Sequence, residues 1–439
     1  MDLSQLISQL GDFAFTLASF IVALSIIVAV HEFGHYIVGR WTGIQAEVFS
    51  LGFGKVLWSR VDSRGTKWQV SALPFGGYVK FLGDANAASF GGTAGGRNTM
   101  LGAPVWARAL TVAAGPVFNF ILSIIIFTVL MLEQGRPTDP IVVASVSEMP
   151  AAFASDLQPG DVFIAVNGLP MESENGTGLF PADLPLEPQL TYTVLRDGAE
   201  LDITGPYLQI PLAGAINPNS AANDAGLLRG DIVLSVDGAP VFAFEHMVEK
   251  VMGSDGQVMV FEVWRDGDVQ EFAIAPRRVD LPLAEGGFET RWLLGVSSGL
   301  FFEMQTEVPP FGDSVQAAIG QVWRIGKSSV TGLYYMLGGK ISSCNLSGPV
   351  AIAEVAGSMA EQGLSDFFWL IGMLSTAIGL LNLFPIPILD GGHLVFHAYE
   401  AITGRPPSER SLRVLMGFGL TLILSLMAFG LLNDLFLCP

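Results

Sequence analysis

Four residues in two distant stretches have the types and spacing of a metal-dependent hydrolase: His31, Glu32 and His35 in "HEFGHYIVGR", and Asp390 in "LLNLFPIPILDGGH". On an α-helix, positions four apart lie about 40° apart in azimuth and about 6 Å apart along the axis. His31 and His35 can therefore chelate one ion from a single helix face, with Glu32 beside them as a proton acceptor. A catalytic zinc wants three protein ligands and one open position, and Asp390 can be the third ligand. The chain ahead of Asp390 must leave the helix at Pro385 and Pro387, which supply no N–H and clash with a continuing turn. His31 follows an uncharged run, Phe13 to Val30, that reads as a membrane helix. An ionisable group deep in a bilayer costs roughly 2.5 to 3.5 kcal/mol even on lenient insertion scales, so such groups mark function.

The elements that must position these residues follow from composition. The chain has 439 residues, 50% of them hydrophobic and only 14% charged, with a mean hydropathy of +0.49. That is a membrane-protein balance. A net charge of −19 argues against nucleic acid, which selects a basic face. Four apolar segments, Phe13 to Val38, Val105 to Leu132, Phe367 to Leu389 and Leu412 to Leu437, can each cross a bilayer, which takes about 20 residues. The amino terminus, "MDLSQLISQLGD", lacks the positive region and cleavage site of a signal peptide, so the first span is expected to stay. Gly39 to Pro104 holds seven Lys/Arg against three Asp/Glu and belongs in the cytoplasm by the positive-inside rule. Glu133 to Pro310 holds 8 basic and 27 acidic residues and belongs outside, with both termini. His31 and Asp390 then share one depth, near the cytoplasmic side.

The remaining segments are of other kinds. "IQAEVFSLGFGKVLWSR" and "TKWQVSALPFGGYVKFLG" alternate, with β-branched and aromatic residues and glycine turns, and read as strands. In the acidic segment, "LQPGDVFIAVNGLP" (Leu157 to Pro170) returns as "LLRGDIVLSVDGAP" (Leu227 to Pro240), an internal repeat offset by 70 residues. "FEHMVEKVM" reads as a helix in the second copy, whereas "GTGLFPADLPLEP" at the same place in the first shows none. Val315, Ile319, Val322, Val330, Leu333 and Leu337 leave a stripe along Phe311 to Lys340, the pattern of an amphipathic helix on the outer membrane face or packed on the repeats. "FGGTAGGRN" lacks the lysine and hydroxyl of a phosphate loop and reads as a flexible link. His246 and His397 are expected to be structural, and His393 to be a neighbour of the ligands or loop packing. Cys344 and Cys438 are expected to be unpaired thiols.

"HEFGHYIVGR", "GPVFNF" (Gly115 to Phe120) and "NLFPIPILDGGH", with the two intervening modules, resemble the site-2 protease family, M50, of intramembrane zinc metalloproteases. The likeness covers nearly the whole chain. It implies one Zn2+ per chain on His31, His35 and Asp390, Glu32 as the catalytic base, and Asn382 with Pro385 and Pro387 as the substrate-handling segment. Asn119 matches a further family position of accessory role. The implied fold is a polytopic α-helical membrane protein with four transmembrane helices, a membrane-reentrant β-sheet and two extracytoplasmic PDZ-like α+β domains. The expected layout is a first transmembrane helix at 1–40, the reentrant β region and linker at 41–104, a second transmembrane helix at 105–132, and PDZ-like domains at 137–205 and 206–280. A linker with the amphipathic helix occupies 281–366, the third transmembrane helix 367–393 and the fourth 411–437. The implied location is a bacterial inner membrane. Implied partners are the lipid bilayer, single-span membrane substrates such as an anti-sigma factor, and a site-1 type protease that acts first; clearance of remnant signal peptides is the alternative. A catalytically silent PDZ adaptor would not need all four site residues. A zinc transporter would spread polar groups along a pore.

Overall fold

The computed structural model describes residues 3–83, 96–171, 180–181, 184–283 and 288–437. Its α-helices, in chain order, are α1 Leu3–Trp41, α2 Val105–Gln134, α3 Ala221–Asp224, α4 Phe244–Met252, α5 Phe311–Leu337, α6 Pro349–Gln362, α7 Leu364–Asn382, α8 Asp390–Thr403 and α9 Glu409–Leu432. Two compact units form: Met1–Leu130 with Phe311–Pro439, and Met131–Pro310.

In the helical unit, Gly11–Trp41, Val105–Gln134, Leu364–Asn382 and Glu409–Leu437 are long and apolar enough to cross a membrane, by length and composition. Their outward faces are apolar: Val414 and Phe418 of α9 are both nearly two-thirds exposed. The inward faces of α1, α2, α5 and α7 meet through Ala23, Ile27, Ile126, Phe127, Ala318, Phe367 and Ile371. Close approach is bought with small residues. A Cβ at Gly34 would lie 2.5 Å from the Ala114 carbonyl oxygen, so α1 and α2 touch backbone to backbone beside the histidines. From α5, Val322 joins Ala318 and Ile325 against the bundle, while Ile319, Val330 and Leu337 of the expected stripe stay exposed.

The third apolar segment does not continue as helix into "LDGG". α7 stops at Asn382, the chain turns through 383–389, and α8 begins at Asp390, as Pro385 and Pro387 require. Glycine is compulsory next. A Cβ at Gly391 would sit 2.3 Å from the carbonyl oxygens of Leu383 and Phe384, and one at Gly392 would sit 2.3 Å from that of Ile386. The turn and the first turn of α8 thus pack backbone on backbone.

Strands β1 (Ala46–Val61) and β2 (Lys67–Phe81) form an antiparallel pair bent so that residues 48–51 pair with 67–70 on one side and with 77–80 on the other. Phe49 and Phe81 close on Tyr36, Ile44 and Ala107, fixing the sheet to the end of α1 and the start of α2. "FGGTAGGRN" lies largely outside the described residues.

The second unit repeats itself in space. One four-stranded sheet runs 169–170, 162–166, 189–196, 199–206, and the other runs 239–240, 232–236, 259–265, 268–274 in the same order. Each is pinned by the same device. Arg196 and Arg265 donate from Nε and Nη2 to both carboxylate oxygens of the buried Asp161 and Asp231, and each aspartate also accepts the main-chain N–H of Gln158 or Leu228. Burial pushes the Asp161 carboxyl up, but Arg196 and the Gln158 N–H outweigh it and hold it below the usual carboxylate range. Residues 288–307, expected from the sequence to be linker, form strands. Val296–Ser298 pairs with Ala213–Ile216 and Phe302–Met304 with Val143–Val146, and Phe301 and Phe302 complete the core of the first repeat. The first copy's counterpart of α4 falls mostly outside the described residues. Cys344 is disulfide-bonded, which corrects the expectation of free thiols; Cys438 lies outside the described residues.

Candidate metal centre

His31 and His35 are one turn apart on α1, with Nε2 atoms 3.2 Å from each other. Asp390, the first residue of α8, brings Oδ2 to 3.1 Å from His31 Nε2 and 3.5 Å from His35 Nε2. A carboxylate is well placed at that position, where the free N–H groups of the first helical turn favour negative charge. These three form a group of possible metal ligands.

The donor set fits zinc on three observations. A tetrahedral ion with bonds of about 2 Å separates its ligand atoms by roughly 3.3 Å, close to the triangle seen here. Asp390 Oδ2 is buried and, apart from the two imidazole nitrogens, has no hydrogen-bond partner among the described residues. The Nδ1–H of His35 donates to the Thr111 carbonyl at 2.8 Å, which leaves the Nε2 lone pair facing the centre. Gly115 forms the wall opposite. A Cβ there would lie 2.4 Å from His35 Nε2 and 2.7 Å from His31 Nε2.

Glu32 stands outside the triangle, and its carboxylate receives the main-chain N–H of Val79. Strand residues 77–81 therefore run past it, and Gly77 permits close packing there: a Cβ would be 2.8 Å from the Ser50 carbonyl oxygen and 3.0 Å from Val28 Cγ1 of α1. Asn119 is fully buried with its amide nitrogen 3.3 Å from His31 Nδ1. The Asn382 side chain donates to the Ile378 carbonyl at 3.0 Å, inside its own helix. Pro385 and Pro387 lie in the turn leading to Asp390, with Pro387 packed against Gly419 of α9. His393 lies outside the ligand group, with its ring against Phe396. Thr111 and Val79 escaped the sequence reading because they act through main-chain atoms, and Gly115, quoted there with its motif, was given no role because it acts through a missing side chain.

On α8, Glu400 makes a two-armed pair with Arg108, at 2.8 and 3.0 Å, and His397 is buried with Nδ1 unpartnered among the described residues. Burial first, and then the charges of Arg108 and His393, pull His397 down to about 4 despite Glu400. Since the folded imidazole resists a proton that the unfolded one takes near pH 6.5, stability should fall as pH drops from about 6.5 to 4. His397→Asn should flatten that fall by up to about 3 kcal/mol, at 1.36 kcal/mol per pKa unit. Denaturation midpoints of both proteins across the window test this, and parallel curves would refute it.

Two histidines and a glutamate on a helix long and apolar enough to cross a membrane, met by an aspartate at the start of α8, define a membrane metallohydrolase class. The chain belongs to peptidase family M50, whose model matches residues 19–426. It is 34% identical over 432 residues to "Putative zinc metalloprotease Atu1380" of Agrobacterium fabrum, covering 95% of this chain and 94% of that one. It is 32% identical over 454 residues to the regulator of sigma-E protease RseP of Escherichia coli, covering 96% and 99%. It is 31% identical over 449 residues to RseP of Salmonella typhimurium, covering 95% and 98%. The protein is thus a membrane zinc metalloendopeptidase of the site-2 type.

Proposed function

We propose that this enzyme cuts peptide bonds within the membrane-spanning segments of single-span proteins, with His31, His35 and Asp390 holding one zinc and Glu32 acting as the base. The observation that carries this is the convergence of three ligand atoms and a separate carboxylate at the end of an apolar spanning helix. Zinc, when bound, supplies Lewis acidity to a carbonyl oxygen and makes water a competent nucleophile near neutral pH. Glu32 takes the water proton on its carboxylate and returns it to the departing amine nitrogen. A substrate helix shields its own peptide bonds, so it must first be drawn out straight. Residues 77–81 serve as a membrane-reentrant edge that receives the extended chain by strand addition. Asn382, with Pro385 and Pro387 fixing the adjacent turn, holds the unwound substrate backbone.

The repeats are PDZ-like domains facing the periplasm, with both termini on the same side, and they limit access to substrates already trimmed. By analogy with the sigma-E protease relatives, the substrate is an anti-sigma factor cut first by a site-1 type protease. The test uses the full chain in lipid vesicles with a single-span substrate, and mass spectrometry of the products. Cuts should fall within the apolar span, stop with a zinc chelator and return with zinc. Cuts confined to the soluble flanks, or indifferent to chelator, would overturn the proposal.

A further inference from the structure

α2 offers one face to the two histidines at intervals of four residues: Thr111, Gly115 and Asn119. Each occupies one turn. Thr111 presents a main-chain carbonyl to His35 Nδ1, and Gly115 presents open space to both Nε2 atoms. Asn119 presents a carboxamide to His31 Nδ1 at 3.3 Å. The two acceptor positions lie two turns apart and flank the glycine.

A neutral imidazole carries one proton. For His31 Nε2 to give its lone pair to a metal, that proton must reside on Nδ1, and whatever faces Nδ1 must accept it. Asn119 can accept only through Oδ1. That oxygen is buried and without a hydrogen-bond partner among the described residues, while the amide nitrogen points at the ring. A half-turn about Cβ–Cγ exchanges the two ends of the amide, gives the oxygen a donor, and sets the histidine tautomer that metal binding requires. We infer that Asn119 is the positioning residue for His31 in the zinc-loaded enzyme, accepting the Nδ1–H through Oδ1. The Thr111 carbonyl does the same for His35, so both ligands are aimed from α2. This rests on the reading of His31 as a zinc ligand.

The test is zinc affinity of the purified full chain, measured by competition with a chromophoric chelator, for Asn119→Ala, Asn119→Asp and His31→Ala. Loss of an outer partner to a ligating histidine typically weakens metal binding 10- to 100-fold, and Asn119→Ala should fall in that range. Asn119→Asp can accept but not donate, so it should stay within about threefold of the parent, an outcome that a general packing role for the amide does not produce. Equal losses in Asn119→Asp and Asn119→Ala would overturn the inference, as would an Asn119→Ala affinity within twofold of the parent. Should the alanine variant fail to fold, the aspartate variant decides alone: retained affinity supports the inference and lost affinity refutes it. Full zinc affinity in His31→Ala would remove the ligand reading itself. Loss there with no distinction between the Asn119 variants would remove only this inference.

Discussion

Glu32→Gln should abolish cleavage while zinc stays at one ion per chain. Glutamine keeps the length and shape of the side chain and can still meet the Val79 N–H through its carbonyl oxygen. It has no basic carboxylate. A general base contributes typically 10²- to 10⁴-fold, so turnover should drop by about that factor or more. The metal should survive because Glu32 is no member of the ligand triangle. His35→Ala and Asp390→Ala, which remove triangle members, should lose zinc and cleavage together. Metal analysis of each purified variant beside the vesicle cleavage assay separates the two behaviours. Near-parental turnover by Glu32→Gln would refute its role as base, and loss of zinc from that variant would make it a ligand.

Gly115→Ala should cost at least about 10²-fold in cleavage and most of the bound zinc. The added methyl would stand 2.4 Å from His35 Nε2, 2.6 Å from its Cε1 and 2.7 Å from His31 Nε2. Neither ring can step aside freely. His35 is tied to the Thr111 carbonyl, and His31 lies against Asn119. α2 is also held by α7, where Ser375 donates to the Asn119 carbonyl at 2.9 Å and a Cβ at Gly379 would already lie 3.1 Å from the Pro116 carbonyl oxygen. A misplacement of about 1 Å at a reacting centre suffices for a loss of that size. Gly417→Ala on α9 is the control: among the described residues nothing lies within 4 Å of its added methyl, so activity should be unchanged. Parental zinc content and turnover in Gly115→Ala would show that the two helices can part without disturbing the site.

Much of the site was legible because it is local. His31, Glu32 and His35 lie within five residues, and helix geometry alone sends the two imidazoles to one face. The four spans follow from hydropathy, since a bilayer imposes a minimum run length that few soluble segments meet. The repeat was visible because Gly160 and Gly230, Asp161 and Asp231, and Arg196 and Arg265 recur at offsets of 70, 70 and 69 residues. Even the break before Asp390 is local, written in Pro385 and Pro387.

What the sequence by itself determined, then, is what near neighbours in the chain set: the spacing of His31, Glu32 and His35, the apolar runs, the repeat and the proline break. Only the tertiary structure decided that Asp390 meets histidines more than 350 positions earlier within 3.5 Å, that Phe301 and Phe302 return to close the first repeat, and that Arg108 pairs with Glu400. It also exposed the contribution of α2, through a carbonyl at Thr111 and a vacancy at Gly115. The physical reason is common to both. Every residue but proline carries the same main-chain donor and acceptor, and every glycine the same missing side chain, so neither has a signature until packing brings a partner within reach.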